Sequence, residues 1–338
     1  TVIGGEIVSK QSAIQNWCDA TITGGKITGQ IWTDAWQESS IGKTVIDGTV
    51  EFTGEIVMDV TNDSIKPELT INGGNLSVTN WRITAACAKL GGKPAVQGGT
   101  FTKAVPAEYC ADRFIPTQNA DGTYGVKACV AKVGSTKYET LAEAIAAAES
   151  GDTITLLADI TNTDYTVANV INIKLAEGVT LDGNNHTLSG NVKITVASAG
   201  GVTIKNVKFK DIHNAAVVSD AYKTKYGFSD DKVGTLSAIY ASNLNGSLTV
   251  TGCEFENVDW DAMQITPATG AEVVIKNNIF KVSESETVKE QLRHVHVEMA
   301  YGGGVDYEGT DIVLTVTDNQ FIAETKEASL GVWWVGKD

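Results

Sequence analysis

Three side chains that can bind a metal ion alternate along one short segment, at His294, His296 and Glu298. Residues two apart lie on the same face of a strand. Two imidazoles and a carboxylate arranged in this way could share one divalent cation. The alternative interpretation is an exposed polar strand next to Arg293, which would pair with a carboxylate. Either outcome depends on the strand that holds these residues.

Two carboxylates lie earlier in the sequence, at Asp259 and Asp261, on either side of a tryptophan. Carboxyl groups about 5 to 9 Å apart can act as the acid and the base or nucleophile of a glycoside hydrolase. The competing interpretation places this pair at a corner, where both aspartates cap a turn through backbone hydrogen bonds. With Arg293 they form the candidate catalytic trio of the chain.

The elements that must position these residues are short repeats that each close on a phenylalanine. Each repeat is an alternating strand, a polar corner and the Phe: Val202–Phe209, Leu248–Phe255, Val273–Phe280 and Leu314–Phe321. A unit this short cannot bury its apolar face alone, so the copies must stack as a parallel β-solenoid. The corners of such a stack need residues that tolerate a left-handed backbone, and these are Asn206, Gly252, Asn277 and Asp318.

Aligning the repeats on their phenylalanines brings a further set of strands into register. Strand alternation then places four residues inside, Ile239, Met263, Val295 and Val332. The same alignment gives an outer column, Tyr240, Gln264, His296 and Trp333, and beside it a second column, Ser242, Thr266 and Glu298. Aromatic rings stack on sugars and polar groups bond hydroxyls, so the first column predicts a glycan-binding face. The alternative is that the inserts 219–234 and 283–292 cover it.

Residues 1–104 carry a second repeat, marked by a pair of small turn residues before a strand. The pairs are Gly4–Gly5, Gly24–Gly25, Asp47–Gly48, Gly73–Gly74 and Gly98–Gly99. Their spacing of 20 to 26 residues matches one coil of a three-sided β-helix. Glycine allows the left-handed backbone that such a corner needs, and the apolar residue that follows is expected to point inward.

Residues 105–132 interrupt the repeats and are predicted to form a hairpin cap or junction. Asn119–Gly122 has the composition of a hairpin turn between two short strands. Cys110 and Cys129 flank this turn and could face each other in a disulfide. Otherwise both are small buried residues of the stack.

Residues 133–338 are predicted to form a second β-helix that starts with a capping helix. Thr140 and Glu143 have the spacing of a capping box, and Gly151 is the expected C′ residue. A short amphipathic helix here would plug the open end of a β-helix core.

The composition limits the class of partner. A net charge of −15 argues against nucleic acid and anionic membranes, because both select basic patches. The sequence contains no run of roughly 18 or more apolar residues, so no membrane-spanning helix is predicted. Both ends look cut and no signal peptide is visible, so we expect a segment of a longer protein. No cofactor is expected apart from Ca²⁺ at acidic corners.

Several segments resemble a known architecture: YETLAEAIAAAESGDTITLLADI, GVTLDGNNHTLSG and GVTIKNVKF. They are similar to the N-terminal cap and first coils of pectin-lyase-like right-handed parallel β-helices. The arrangement as a whole resembles repeat regions of large surface proteins of Gram-positive gut-type bacteria. The resemblance implies a secreted or surface-displayed protein. It does not specify an activity, because this fold carries lyases, hydrolases, tailspikes and adhesins.

The sequence therefore predicts an all-β protein built as a right-handed parallel β-helix. The favoured function is a non-catalytic, adhesin-type segment that displays a binding face for a polysaccharide, host glycan or host protein, or acts as a rigid stalk. One alternative is a glycoside hydrolase or a polysaccharide lyase. Lyases of this fold place a basic residue beside a Ca²⁺ cluster, which points again to Arg293 with Asp259 and Asp261. A further alternative is a glycan-recognising phage tailspike.

Overall fold

The computed structural model describes residues 1–62, 64–213, 215–217, 232–234, 237–258, 260–282, 291–298, 311–323 and 330–333. Within these ranges only the backbone is described at 167, 215–217, 232–234, 260, 282, 291–298, 323 and 330–333. The chain divides into two compact units, Thr1–Cys129 and Val130–Asp338. Each unit has its own cluster of buried apolar residues.

The first unit is almost entirely β-structure. Its strands are β1 Val2–Asn16, β2 Asp19–Gln37, β3 Ser40–Ile41, β4 Lys43–Ile46, β5 Glu51–Val60, β6 Glu68–Ile71, β7 Asn75–Ile83, β8 Ala95–Val96, β9 Thr100–Phe101, β10 Phe114–Gln118 and β11 Tyr124–Ala128. Its helical elements are α1 Ala85–Lys89 and a 3₁₀ turn, Ala107–Tyr109.

Most strands of this unit pair in parallel with the equivalent strand of the next repeat. The pairs β1–β2, β2–β5, β5–β7 and β7–β9 follow one row, and β2–β4, β4–β6 and β6–β8 follow another. The predicted glycine corners are confirmed, since Gly5, Gly25, Gly48, Gly74 and Gly99 all have positive φ, between 63° and 97°. The apolar residues after four of these corners are buried, namely Ile27, Val50, Leu76 and Phe101.

The predicted hairpin is present at the edge of this sheet. β10 and β11 are antiparallel, and Tyr124 of β11 pairs with Phe101 of β9, so the hairpin covers the edge of the last repeat, as edge strands require. Cys110 and Cys129 are both buried, and the disulfide between them stays a prediction. In the register of the hairpin Cys129 lies opposite Arg113, whose carbonyl accepts from the Cys129 backbone N–H at 2.6 Å.

The described residues of the second unit form β12–β33 and one α-helix. Its elements are β12 Ala131–Val133, β13 Thr136–Tyr138, α2 Leu141–Ala147, β14 Thr153–Leu156, β15 Ile160–Asn162, a 3₁₀ turn Val167–Asn169, β16 Ile171–Leu175, β17 Thr180–Asp182, β18 Thr187–Gly190, β19 Val192–Val196, β20 Val202–Lys205, β21 Lys208–Ile212, β22 Ala215–Val217, β23 Lys232–Gly234, β24 Ile239–Leu244, β25 Ser247–Thr251, β26 Glu254–Val258, β27 Trp260–Pro267, β28 Glu272–Lys276, β29 Ile279–Val282, β30 Gln291–Glu298, β31 Val313–Thr317, β32 Gln320–Ala323 and β33 Leu330–Trp333.

From β14 onward the chain visits three parallel sheets in rotation. The first sheet runs β14-β17-β20-β25-β28-β31, the second β15-β18-β21-β26-β29-β32, and the third β16-β19-β24-β27-β30-β33. Only the short pair β22–β23 stands outside this rotation among the described strands that follow β14. An all-β architecture with parallel sheets is therefore confirmed.

The capping box predicted at the start of the second unit is confirmed. The Thr140 hydroxyl accepts from the backbone N–H of Glu143, and the Glu143 carboxylate accepts from the backbone N–H of Thr140. The helix ends earlier than predicted, because Ala148 is already extended (φ −77°, ψ 133°), and Gly151 (φ +94°) lies in the turn beyond. No helix among the described residues is long and apolar enough to cross a membrane.

The polar corner of the Phe repeat has the predicted backbone. Positive φ values occur at all four positions: Asn206 (53°), Gly252 (64°), Asn277 (57°) and Asp318 (55°). The hydrogen-bonded ladder is formed by the residues that follow the last three of these. Each donates its side chain to a carbonyl one round earlier: Cys253 Sγ to Ile204, Asn278 Nδ2 to Val250 and Asn319 Nδ2 to Ile275.

The repeat phenylalanines form a continuous ring stack inside this unit. Ring centroids are 4.6 Å apart for Phe209 and Phe255, 4.9 Å for Phe255 and Phe280, and 5.0 Å for Phe280 and Phe321, with planes within 8° of parallel. The first three rings are buried, whereas Phe321 is 39% exposed. Stacking at this distance follows from parallel strands about 4.8 Å apart.

We expect Phe255→Ala to lower the free energy of unfolding by about 3–5 kcal/mol, because the cavity would open between two stacked rings. Urea denaturation followed by circular dichroism measures this loss. Phe321→Ala removes the same side chain from the exposed end of the stack and should cost well under half as much. Equal losses would contradict the view that burial of the stack stabilises this unit.

A second expected outcome concerns the ladder. Asn278→Ala should lower the free energy of unfolding by about 2–4 kcal/mol, because the Val250 carbonyl and the Cys253 N–H each lose a buried partner. Asn277→Gly is the matched control, since glycine adopts the φ of +57° at this exposed position. A loss of similar size in both variants would show that the corner backbone, and not the ladder, carries the effect.

Candidate functional site

The third sheet of the second unit aligns most of the column predicted to bind a glycan. Thr195, Tyr240, Gln264 and His296 are consecutive partners in the parallel register of β19, β24, β27 and β30. Parallel strands lie about 4.8 Å apart, so these positions form a straight row across four strands. The inward positions Ile239 and Met263 are fully buried, as predicted.

The last strand of this sheet is shifted relative to the prediction. His296 pairs with Gly331, whereas Trp333 pairs with Glu298 of the neighbouring column, and Val295 pairs with Leu330 instead of Val332. The shift is two residues, which preserves the period-two alternation of the strand. Alternation along the sequence could not detect it for that reason.

The face around Tyr240 is recessed and not openly exposed. Tyr240 and Gln264 are half-buried. Ala238 and Ala262, which precede the inward residues Ile239 and Met263, are fully buried as well. Consecutive buried residues mean that the outer face is covered at Ala238 and Ala262, directly beside the row of Tyr240 and Gln264, so a ligand would approach this row from the other side.

One polar atom in this recess has no hydrogen-bond partner in the described part of the chain. Gln264 Oε1 is buried and accepts no hydrogen bond from the described residues. Buried polar atoms are almost always paired, and each exception needs an explanation such as a bound water, ion or ligand. A hydroxyl group lying beside Tyr240 and Gln264 would satisfy this acceptor.

One lysine, Lys174, extends the column on the other side of Thr195, and a second, Lys193, lies in the adjacent row on the same strand as Thr195. Lys174 pairs with Thr195 in the register of β16 and β19, and Lys193 pairs with Asn172. The Thr195 hydroxyl donates to Asn172 Oδ1 at 2.8 Å. Burial lowers the pKa of the Lys193 ammonium, and the neighbouring Lys174 charge lowers that pKa further.

Neither lysine has a counter-ion among the residues that the structure describes, whereas Lys205 pairs with Asp182 at 3.2 Å and Lys210 with Glu256 at 3.5 Å. Lys174 is exposed and Lys193 is half-buried. Two neighbouring ammonium groups, one of them partly desolvated and neither paired with a carboxylate, favour an anion from outside the chain. The sequence analysis did not include these lysines, because the predicted column begins at Tyr240 in β24. The alternating segments INIKL and VKITV, which contain the lysines, could have indicated two further strands of the same sheet.

The candidate catalytic residues do not form an accessible pair in the described part of the chain. Asp261 lies within β27, not at a corner, and is fully buried. It is the register partner of Arg293 in β30, whose side chain is not described. Asp259 lies outside the described residues. A carboxylate without solvent access cannot contact a polysaccharide, because burial excludes the substrate along with water.

The predicted metal ligands lie on a strand, as the proposal of a shared site requires. His294, His296 and Glu298 belong to β30, but their side chains lie outside the described structure, so this site stays a prediction. Elsewhere, within the described residues, no group of three or more His, Cys, Asp or Glu side chains could hold a metal ion.

Comparison with known proteins assigns no family to these features. No family model, curated protein or solved structure matches this chain. The function of the column formed by Lys174, Thr195, Tyr240, Gln264 and His296 therefore has to be inferred from its geometry and charge.

Proposed function

We propose that this chain is a right-handed parallel β-helix segment of an extracellular bacterial surface protein, and that it binds a glycan without cleaving it. The rotation of strands through three parallel sheets supports the β-helix. The resemblance of the α2 region to β-helix caps supports a surface or secreted protein. The net charge of −15 disfavours nucleic acid and anionic membranes as partners.

The observation that carries this proposal is Gln264 Oε1, which has no partner among the described residues and shares a row with half-buried Tyr240 and with Lys174. A sugar chain meets all three requirements. A pyranose ring packs against the Tyr240 ring, a hydroxyl donates to Gln264 Oε1, and an anionic substituent lies between Lys174 and Lys193. The ligand is therefore a polysaccharide that bears carboxylate or sulfate groups.

The negative charge of the whole chain does not prevent such binding. Screening at physiological ionic strength limits exposed charges to a range of about 8 Å. The local field at Lys193 is then set by Lys174 and the bound substituent more than by distant acids. The buried position of Asp261 disfavours the hydrolase and lyase alternatives.

The test is binding of hyaluronan, dextran sulfate and uncharged dextran by isothermal titration calorimetry, with the reaction mixtures checked for new oligosaccharides by mass spectrometry. We expect at least one charged polymer to bind, dextran not to bind at this site, and no products to form. Lys193→Gln should weaken binding about tenfold or more, since a charge-assisted hydrogen bond contributes about 1.5–3 kcal/mol. Gln264→Leu should weaken it by a smaller factor.

Lys205→Gln is the matched control, because it removes a lysine that is already paired with Asp182 on another sheet. It should bind as the wild type does. Equal affinity of the Lys193 and Lys205 variants, with folding verified by circular dichroism, would remove the column from consideration as a binding site. Products that disappear in Asp261→Asn would establish an enzyme instead.

A further inference from the structure

The first unit carries an outer strand face with an unusual concentration of tryptophan. Along β2, Ile31, Thr33 and Ala35 are fully buried. The alternate positions Gln30, Trp32 and Asp34 therefore lie on the opposite face, and Trp36 follows at 58% exposure. Trp17 lies in the preceding repeat and is 41% exposed. We call the surface formed by Trp17, Trp32, Asp34 and Trp36 the tryptophan face.

A buried carboxylate fixes the first of these rings. Trp17 Nε1 donates to Asp34 Oδ2 at 2.9 Å. Asp34 also accepts from the backbone N–H and the hydroxyl of Thr61, at 3.1 and 3.0 Å. The Asp34 carboxylate thus accepts from the Trp17 indole and from two donors of Thr61. The indole is exposed in a defined orientation and loses little conformational freedom when a ligand binds.

The second ring is held by an arginine. Trp32, Val57 and Arg82 are consecutive partners across β2, β5 and β7, and the Arg82 guanidinium lies 5.5 Å from the Trp32 ring centre. Val57 between them is fully buried, so the arginine side chain covers it. Arg82 Nε also lies 3.4 Å from Glu55 Oε2. The result is a continuous platform of planar groups, in which Trp32 Nε1 is buried and has no acceptor among the residues that the structure describes.

The third ring is placed by a break in strand pairing. Ala35 pairs with Ile41 and Gln37 pairs with Ser40, so Trp36 is the extra residue between two pairs. Bulges of this kind redirect a side chain and are common next to functional sites. Trp36 makes no hydrogen bond or ring contact among the described residues, so nothing in its own unit explains an indole exposed to this extent.

Hydrogen-bonding groups line one side of the rings at the spacing of the strands. Gln30 Nε2 donates to Glu55 Oε2 at 2.8 Å, and Asn80 Nδ2 donates to Glu55 Oε1. Each of these side chains retains further donor or acceptor positions. A row of amide and carboxylate groups beside exposed indoles provides both the stacking and the hydroxyl recognition that sugars require.

We propose that the tryptophan face binds an uncharged polysaccharide that runs along β2. Trp32 and Trp36 are about 13 Å apart along the strand, since each residue advances about 3.3 Å, so they would contact different sugar rings of one chain. Asp34, Asp59 and Glu55 outnumber Arg82 on these strands, which disfavours anionic glycans here. This site shares no residue with the column that contains Lys174, Tyr240 and Gln264. It lies in the other unit and binds a ligand without charge.

The test uses hexasaccharides of glucose, mannose and N-acetylglucosamine, with binding followed by calorimetry and tryptophan fluorescence. We expect at least one of them to bind the wild type. Trp36→Ala should weaken that binding at least tenfold, and Trp36→Phe should restore part of it, because a smaller ring still stacks. Ile3→Ala removes an exposed apolar residue of the same unit, at 79% exposure, and should change nothing. Hyaluronan binding should be the same in all these variants.

The proposal is overturned if none of the three hexasaccharides binds, or if Trp36→Ala binds as tightly as the wild type. Self-association is the competing use of an exposed aromatic surface, and sedimentation velocity distinguishes it. A wild-type dimer that Trp36→Ala converts to a monomer would identify the face as an interface between two copies. Trp17→Phe loses the hydrogen bond to Asp34 but keeps an aromatic ring. Comparison of this variant with Trp36→Ala therefore separates loss of folding from loss of stacking.

Discussion

Parallel register is the constraint on which the rest of this structure depends. Most strands pair in parallel with their counterpart from the preceding round, so equivalent residues lie about 4.8 Å apart. A residue in the interior must therefore pack against the residue at the same position of the next round. Phenylalanine does so through ring stacking, and the polar ladder through Asn278 and Asn319 does so by bonding each carbonyl to the next round. Burial and hydrogen bonding are thus satisfied by the same repeated geometry.

Two kinds of feature could be predicted from the sequence: those that repeat along the chain and those that depend on residues a few positions apart. The Phe units, the glycine corners and the capping box at Thr140 and Glu143 recur or depend on neighbours a few residues apart. The position of Trp333 could not be predicted, because a two-residue shift of a strand keeps both faces unchanged. Burial of Asp261 depends on the residues around it in space, which no spacing in the sequence specifies.

The tryptophan face escaped sequence reasoning for a different reason. Trp32 and Trp36 alternate with buried residues, but neither recurs in the following repeats, where Val57 and Arg82 continue the row from Trp32. Repeats identify the scaffold, whereas a binding site consists of departures from them. Lys174 is a similar departure in the second unit, since Thr195, Tyr240 and Gln264 continue its row.

The ring stack has a consequence for how such a chain can evolve. Phe209 and Phe255 are separated by 46 residues and Phe255 and Phe280 by 25, yet their ring distances are 4.6 and 4.9 Å. The packing of the core therefore does not depend on the length of the segment that connects one round to the next. Segments of very different length can be gained, lost or exchanged between rounds by recombination while the scaffold is preserved. The segments between rounds are thus free to change in length and sequence over evolution without any change in the stacked core.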